Sequence, residues 1–249
     1  MAYQAVFRRY ELKYMLTPEQ KETILRGIEP YMSIDEYGRT TIRNIYFDTP
    51  SYRLIRASIE KPMYKEKLRI RSYEQATHDS KVFVEIKKKY DKVVYKRRTS
   101  LPEAEAMRWV CERQRPDTVK KQQIANEIDY FLDFYGELGP AVFLTYEREA
   151  FFTKEKSDFR VTFDDNVLCR EDNVDLTADV YGTRILPEGK ILMEIKCSGG
   201  IPLWMVEILS REKIYKTSFS KYGTAYRDII LPRLRAEKQL ESGAKILTV

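Results

Sequence analysis

In the segment Lys67–Glu74, KLRIRSYE, Leu68 and Ile70 alternate with Arg69 and Arg71. A period of two puts the aliphatic pair on one side of a strand and the arginines on the other. That charged face suits the binding of oxyanions. A guanidinium grips oxygens in a planar fork, and a lysine ammonium adds a point charge. The pattern recurs in RRYELKYML, KVFVEIKKK, VVYKRRTSL, AVFLTYEREAFF, DFRVTFDD and KILMEIKCSG. It gathers Arg9, Lys13, Arg69, Arg71, Lys87, Lys96, Arg98, Arg148, Arg160 and Lys196 on the charged faces, against Glu11, Glu85, Asp164 and Glu194. Two strands lack a cleanly apolar opposite side, Arg97 interrupting one and Thr145 with Glu147 the other. An antiparallel sheet with one face in water would account for any single strand. It does not account for the series, because like charges opposite one another are destabilising. A dense polyanion is the expected counter-charge.

The elements that must carry these residues are mostly strands, with helices between them. TPEQKETILRGIEPYM opens with Thr17 as N-cap, Pro18 at the first helical position and Gln20 closing a capping box. Ile24, Leu25 and Ile28 form its apolar stripe. A second helix is expected after Ser100 in SLPEAEAMRWVCER. A third, DTVKKQQIANEIDYFLDFYG, is expected to run from a cap at Asp117 to a stop at Gly136, with Ile124, Ile128, Phe131, Leu132 and Tyr135 on one face. PLWMVEILSREKIY and TAYRDIILPRL are further helical segments. The sheet either lies open or closes with its charged face inward and the helices covering an apolar exterior. In these strands the aromatics sit mostly opposite the cations, whereas surfaces that bind nucleic acid normally expose aromatics for stacking. The expected fold is therefore α+β: a closed antiparallel barrel of about eight strands, wide enough for side chains and one narrow ligand.

The chain has 249 residues, 43% of them hydrophobic and 33% charged, with 44 Lys and Arg against 38 Asp and Glu. That composition describes a globular, soluble chain. The cysteines, Cys111, Cys169 and Cys197, are scattered, which argues against a zinc site or a disulfide framework and fits a reducing, cytoplasmic setting. His78 lies in the turn-like EQATHDSK. The sequence contains neither G-x-x-x-x-G-K-[ST] nor G-x-G-x-x-G, and no G-x-S-x-G elbow. Its N-terminus has no apolar signal segment and no run approaches the roughly 20 residues of a spanning helix, so a membrane role would come through a partner.

The ordered set RRYELKY, IYFDTPSYRLIR, KLRIRSY, VEIKKK, YKRRTSL, YEREAF, FRVTFDDNV, LMEIKCSG and SFSKYG resembles the polyphosphate polymerase (VTC) domain of the vacuolar transporter chaperone group. That group is part of the triphosphate tunnel metalloenzymes, relatives of the CYTH domains. The resemblance runs from about Arg8 to Arg227 and implies one domain over residues 1–249, with a C-terminal helix or tail from 224. It implies a closed, Lys- and Arg-lined tunnel that holds ATP, triphosphate or polyphosphate, with no nucleic acid as partner. Arg69, Arg71, Lys87, Arg148 and Lys196 take the catalytic positions. Lys13, Lys96, Arg98, Arg160, Ser220 and Lys221 are further phosphate ligands. Glu194 matches the metal-binding glutamate, with Glu85 a second candidate and Mn²⁺ or Mg²⁺ the implied ion.

The resemblance implies transfer of the γ-phosphoryl of ATP to a growing polyphosphate chain. A triphosphatase of the same superfamily and a non-catalytic polyphosphate-binding module are the alternatives. One departure bears on the choice. The CYTH branch carries E-x-E-x-K near its N-terminus, where this chain has Arg9, Glu11 and Lys13. The basic first position removes a candidate second metal ligand and favours the polymerase-like branch. Larger eukaryotic VTC proteins add a regulatory helical domain and membrane spans, which this sequence does not contain.

Overall fold

A computed structural model describes residues 10–91, 93–155 and 157–246. Arg9, placed on the charged face by its sequence spacing, lies outside the described residues. The strands are β1 (Tyr10–Leu16), β2 (Met32–Asp48), β3 (Tyr64–Tyr73), β4 (Lys81–Tyr90), β5 (Val93–Pro102), β6 (Gly139–Thr153), β7 (Arg160–Arg170), β8 (Thr183–Arg184), β9 (Ile191–Cys197) and β10 (Lys216–Thr217). The α-helices are α1 (Pro18–Ile28), α2 (Arg53–Ile59), α3 (Glu103–Glu112), α4 (Gln122–Tyr135), α5 (Leu203–Arg211), α6 (Lys221–Ala225) and α7 (Leu231–Ile246). A π-helical turn, Tyr226–Ile230, joins the last two.

All strand pairings are antiparallel, in the order β10-β1-β9-β7-β6-β2-β3-β4-β5, with β8 beside β7. This order has two ends, so hydrogen bonds among the described residues do not close the sheet into the expected barrel. The sheet nevertheless curls. Lys96 and Arg98 of the edge strand β5 and Lys196 of the distant β9 line one cavity. Glu11 of β1 also reaches Lys87 of β4 at 2.7 Å across the gap between the two ends.

The alternation has the expected consequence on the outside. Leu68, Ile70, Val82, Val84 and Ile86 share a buried cluster with Trp109 of α3 and Ile128, Phe131 and Leu132 of α4. Val161, Phe163, Met193 and Ile195 form a second cluster with Ile24 and Ile28 of α1 and Met205 and Ile208 of α5. A third has no counterpart in the sequence reading. It joins Tyr46, Leu144, Tyr146 and Leu192, which share the parity of the charged rows, to Tyr222, Ala225, Tyr226 and Ile230. The segment from α6 through the π turn thus packs apolar side chains onto the concave face beside the charged region.

Helix α1 has its capping box: Gln20 N donates to Thr17 Oγ1 at 3.2 Å, and Thr17 N donates to Gln20 Oε1 at 3.0 Å. Gly136 ends α4 with φ +68, a conformation costly for other residues. The start of α4 differs from expectation, with Lys121, not Asp117, at the N-cap. Val119 is buried and its N–H donates to Pro116 O, so the segment docks as a turn before the helix begins. The helix expected after Ser100 starts at Glu103. Ser100 and Leu101 still pair with Phe83 and Val82, and burial of Leu101 extends β5 to Pro102.

Candidate active site

Parity along each strand brings the charged rows together. Arg69 lies opposite Tyr46 and Glu85, Arg71 opposite Asn44, Lys87 opposite Lys96, Arg148 opposite Asp164, Arg160 opposite Lys196, and Lys13 opposite Glu194. A cavity of about 120 Å³ is lined by Arg71, Lys96, Arg98, Arg148, Arg160 and Lys196, with Asp35, Tyr37, Gly38, Thr40, Ile42 and Tyr73 at its rim and side. Six of the residues expected from sequence to bind phosphate or act on it therefore share one space. Lys13, Arg69, Lys87 and Lys221 are each paired with a carboxylate of the inner face, while Ser220 is reached by Lys67.

Those carboxylates are held differently. Glu85, only 1% exposed, accepts from Arg69 Nε at 2.8 Å and lies 2.5 Å from Lys96 Nζ and 4.0 Å from Arg71. Asp164, fully buried, takes Arg148 Nε and Nη2 at 2.6 and 2.7 Å and also accepts from Lys221. Glu194 is more loosely held. Lys13, Lys196, Arg148 and Lys221 surround it at 3.3, 3.4, 3.8 and 3.8 Å, and no hydrogen bond reaches it among the described residues. Burial alone would raise the pKa of each acid. At all three the neighbouring cations outweigh burial, holding Glu85 and Glu194 well below the usual range and Asp164 below it.

The cations themselves are crowded. Burial pushes Lys67 and Lys196 down to about 8, even though Glu194 favours the charged form of Lys196. Burial, reinforced by Arg71 and Arg69, pushes Lys96 down to about 7 against the pull of Glu85. Arg98 stacks over Phe83 at 4.7 Å, and Arg160 stacks over Phe152 at 4.4 Å. Neither ion-pairs with a carboxylate among the described residues, and the buried Nε of Arg160 has no hydrogen-bond partner there. The site therefore holds cations with unspent charge, as the sequence implied.

Several contributors were missed in the sequence. Tyr46 and Tyr146 hydroxyls accept from Arg69 Nη1 at 3.0 Å and Arg71 Nη2 at 3.2 Å, while Asn44 Oδ1 accepts from Arg71 Nε at 2.9 Å. Burial would raise both phenols, but the surrounding cations, led by Arg69 at Tyr46 and Arg148 at Tyr146, bring them below the usual tyrosine value. These tyrosines and Phe83 qualify the expectation that aromatics lie opposite the cations: each ring supports a guanidinium. Lys67 has the parity of Arg69 and Arg71, and that parity was the available signal for it. Ser220 Oγ caps α6 by accepting from Gly223 N at 3.2 Å and receives Lys67 Nζ at 3.4 Å. Its own proton remains free to donate.

The two strands with broken alternation have local explanations. Arg97 leaves the cationic face and pairs with Glu127 of α4 at 3.3 Å. Glu147 lies opposite Thr41 in the unbroken β2–β6 register and accepts from Thr41 Oγ1 at 3.0 Å.

A divalent ion finds a partial set of donors. Among the described residues no group of three or more His, Cys, Asp or Glu could hold a metal. Glu194, however, has lone pairs free of hydrogen bonds, and its cross-strand neighbour Thr162 has a buried hydroxyl without a partner. This fits an ion that takes one protein carboxylate and draws its other ligands from substrate phosphates and water, as Mg²⁺ commonly does. The expected second candidate, Glu85, is ion-paired more closely, by Arg69 at 2.7 Å and Lys96 at 2.5 Å, although its buried Oε1 also accepts no hydrogen bond among the described residues.

The described residues thus form a curled antiparallel sheet with an inward cationic face and helices on its outside. Residues 8–230 match the VTC domain, and the chain belongs to that family. Among solved structures, a candidate adenylate cyclase from Bacillus halodurans has a TM-score of 0.53 at 15% identity, covering 87% of this chain and 96% of that one. A candidate adenylyl cyclase from Hippeastrum with a dominant triphosphatase activity gives a TM-score of 0.46 at 15% identity, covering 88% and 94%. Among curated proteins none matches this chain. Among the described residues no helix is long and apolar enough to cross a membrane.

Proposed function

We propose that this protein is a metal-dependent phosphotransferase that moves the γ-phosphoryl group of ATP onto the end of an inorganic polyphosphate chain, with the curled sheet serving as the tunnel. The observation that carries this reading is the convergence of Arg71, Lys96, Arg98, Arg148, Arg160 and Lys196 on one cavity, with Arg98 and Arg160 paired to no carboxylate among the described residues. From Lys67 to Arg71 the basic row on β3 runs about 13 Å, longer than one phosphate requires. Membership of the VTC family supports polymer synthesis.

In the proposed reaction a terminal oxygen of the polyphosphate chain forms a bond to the γ-phosphorus. The bond from that phosphorus to the β–γ bridging oxygen breaks, and ADP leaves with the electron pair. The protein needs no side-chain nucleophile. Its work is alignment and charge neutralisation. Arg69 and Arg71, held by Glu85, Asn44, Tyr46 and Tyr146, present fixed guanidinium planes. Arg148 is fixed by Asp164, and Lys196 and Lys221 add charge around Glu194. Glu194, with the Thr162 hydroxyl beside it, would hold Mn²⁺ or Mg²⁺, which would supply positive charge against that of the phosphates.

A specific observation favours a second reading, triphosphate hydrolysis. The apolar cluster of Tyr222, Ala225, Tyr226 and Ile230 occupies part of the concave face and limits the length of chain that fits inside. Incubation with ATP and Mn²⁺, followed by a gel for polymer and an assay for free phosphate, separates the two. Polymer with ADP supports synthesis, free phosphate without polymer supports hydrolysis, and neither product with either metal overturns both.

A further inference from the structure

The row Lys67, Arg69, Arg71 on β3 ends at Tyr73, which has the same parity and lines the same cavity. A phenol ring cannot neutralise phosphate, so this end of the row serves something else. Tyr73 is 46% exposed, and its ring is braced edge-on by Phe83 at a centroid distance of 5.8 Å. Phe83 is held in turn beneath Arg98 at 4.7 Å. Another ring faces the cavity from an unpaired part of β2. The β2–β6 register breaks between Ile34 and Arg39, and Tyr37 stands in that break, 70% exposed. The break has internal order: Tyr37 N donates to Asp35 Oδ1 at 3.2 Å, Thr40 Oγ1 donates to Tyr37 O at 3.2 Å, and Gly38 takes φ +59.

We propose that Tyr37 and Tyr73 form a stacking platform for the base of a nucleoside triphosphate at the mouth of the site. The proposal rests on the triphosphate reading above and adds the part of the substrate that is not phosphate. From Arg71 to Tyr73 is two residues along a strand, about 7 Å, so a ligand whose phosphates reach Arg71 carries its nucleoside past the rim. Every base has a π-face, so stacking holds bases with little discrimination among them. The site therefore takes purine and pyrimidine triphosphates with similar affinity, the stacking adding to what their phosphates contribute.

The test compares ATP, UTP and tripolyphosphate binding by calorimetry, without metal, to the wild type, to Tyr37→Ala/Tyr73→Ala and to Tyr37→Phe/Tyr73→Phe. Both tyrosines are exposed, and a melting curve confirms that each variant folds. The alanine pair is expected to bind ATP and UTP roughly tenfold more weakly, with tripolyphosphate unchanged and the phenylalanine pair close to wild type. If tripolyphosphate binds the wild type but the alanine pair keeps its nucleotide affinity, the platform is wrong and the triphosphate reading stands. If all three ligands weaken alike, the rings shape the mouth and do not stack a base, which also overturns the proposal. Failure of tripolyphosphate to bind the wild type removes the underlying reading and the platform with it.

Discussion

Glu11 on β1 accepts a hydrogen bond from Lys87 on β4 at 2.7 Å, although the two strands are not neighbours in the sheet. The pair fastens one end of the curled sheet to the other where backbone pairing does not. Burial would raise the Glu11 pKa, but Lys87 and Lys196 outweigh it and hold the carboxyl at about 2. A depressed acid stabilises the fold above its unfolded pKa and loses that contribution as pH falls to the folded value. The wild type should therefore melt above Glu11→Gln at pH 7, and the gap should close between about pH 4.5 and 2. Lys87 is 39% exposed, so the difference should not exceed about 1 kcal/mol. A gap independent of pH would show that Glu11 does not act as a charged latch.

Arg98 and Arg160 should separate ligand binding from folding. Neither neutralises a carboxylate among the described residues, so alanine at either position leaves no acid stranded. Arg160→Ala also removes a cation that faces Arg148 and Arg71. Each variant is expected to melt at or slightly above the wild type without ligand. The stabilisation produced by tripolyphosphate, about 2.7 kcal/mol at 100 times Kd for the wild type and read as a rise in Tm, should shrink in both. An undiminished rise in both variants would take these arginines out of the site. Arg69→Ala is a poorer probe, because it leaves buried Glu85 with Lys96 and the more distant Arg71 and should destabilise the fold as well.

Glu194 and Asp164 share a wall of the site but should respond differently to substitution. Asp164→Ala strands Arg148 and Lys221 in a buried setting and should cost about 3–5 kcal/mol of stability. Glu194 accepts no hydrogen bond among the described residues. Glu194→Gln should fold, bind tripolyphosphate at least as tightly in the absence of metal, and lose metal-dependent turnover by a hundredfold or more, about 2.7 kcal/mol. Chemical denaturation and a turnover assay on both variants check the contrast. Equal destabilisation, or full activity in Glu194→Gln, would count against the assigned roles.

The charged face was legible because strand parity is a strong local signal. Arg69, Glu85, Arg148 and Lys196 all follow from period two, as does the apolar exterior of Leu68, Val84 and Ile195. Helix α1 was legible for the same reason, its caps lying within its own sequence. What sequence did not disclose depends on contacts between distant segments. Helix α2 has no side-chain cap at its own start, where Tyr52 sits at φ 57. Asp48 instead accepts from Leu54 N and Ile55 N and from Tyr222 Oη. The loop 173–181 is pinned by buried Arg43 and Arg170, which donate to its carbonyls. The sheet's two ends were equally hidden, because local alternation is the same in a closed barrel and in a curled open sheet.

Binding of a polyanion should also draw protons from solution. In the free site burial holds Lys67 and Lys196 at about 8 and Lys96 at about 7, against an ordinary lysine value near 10.4. Above pH 8 a substantial part of this charge is absent until phosphate arrives. Phosphate oxygens favour the ammonium form and raise these pKa values, so the bound state holds more protons than the free state. A group whose pKa is raised by a ligand contributes affinity that is complete below the free value and disappears as pH rises through the bound value. Tripolyphosphate affinity should therefore fall between about pH 8 and 10. Calorimetry at pH 8.5 in buffers of different ionisation enthalpy should register net proton uptake. Lys196→Met should lose affinity at pH 7 and take up fewer protons at pH 8.5. Zero uptake, together with affinity flat to pH 10, would show that these lysines are already fully charged in the empty site, and that cation crowding does not govern how it binds.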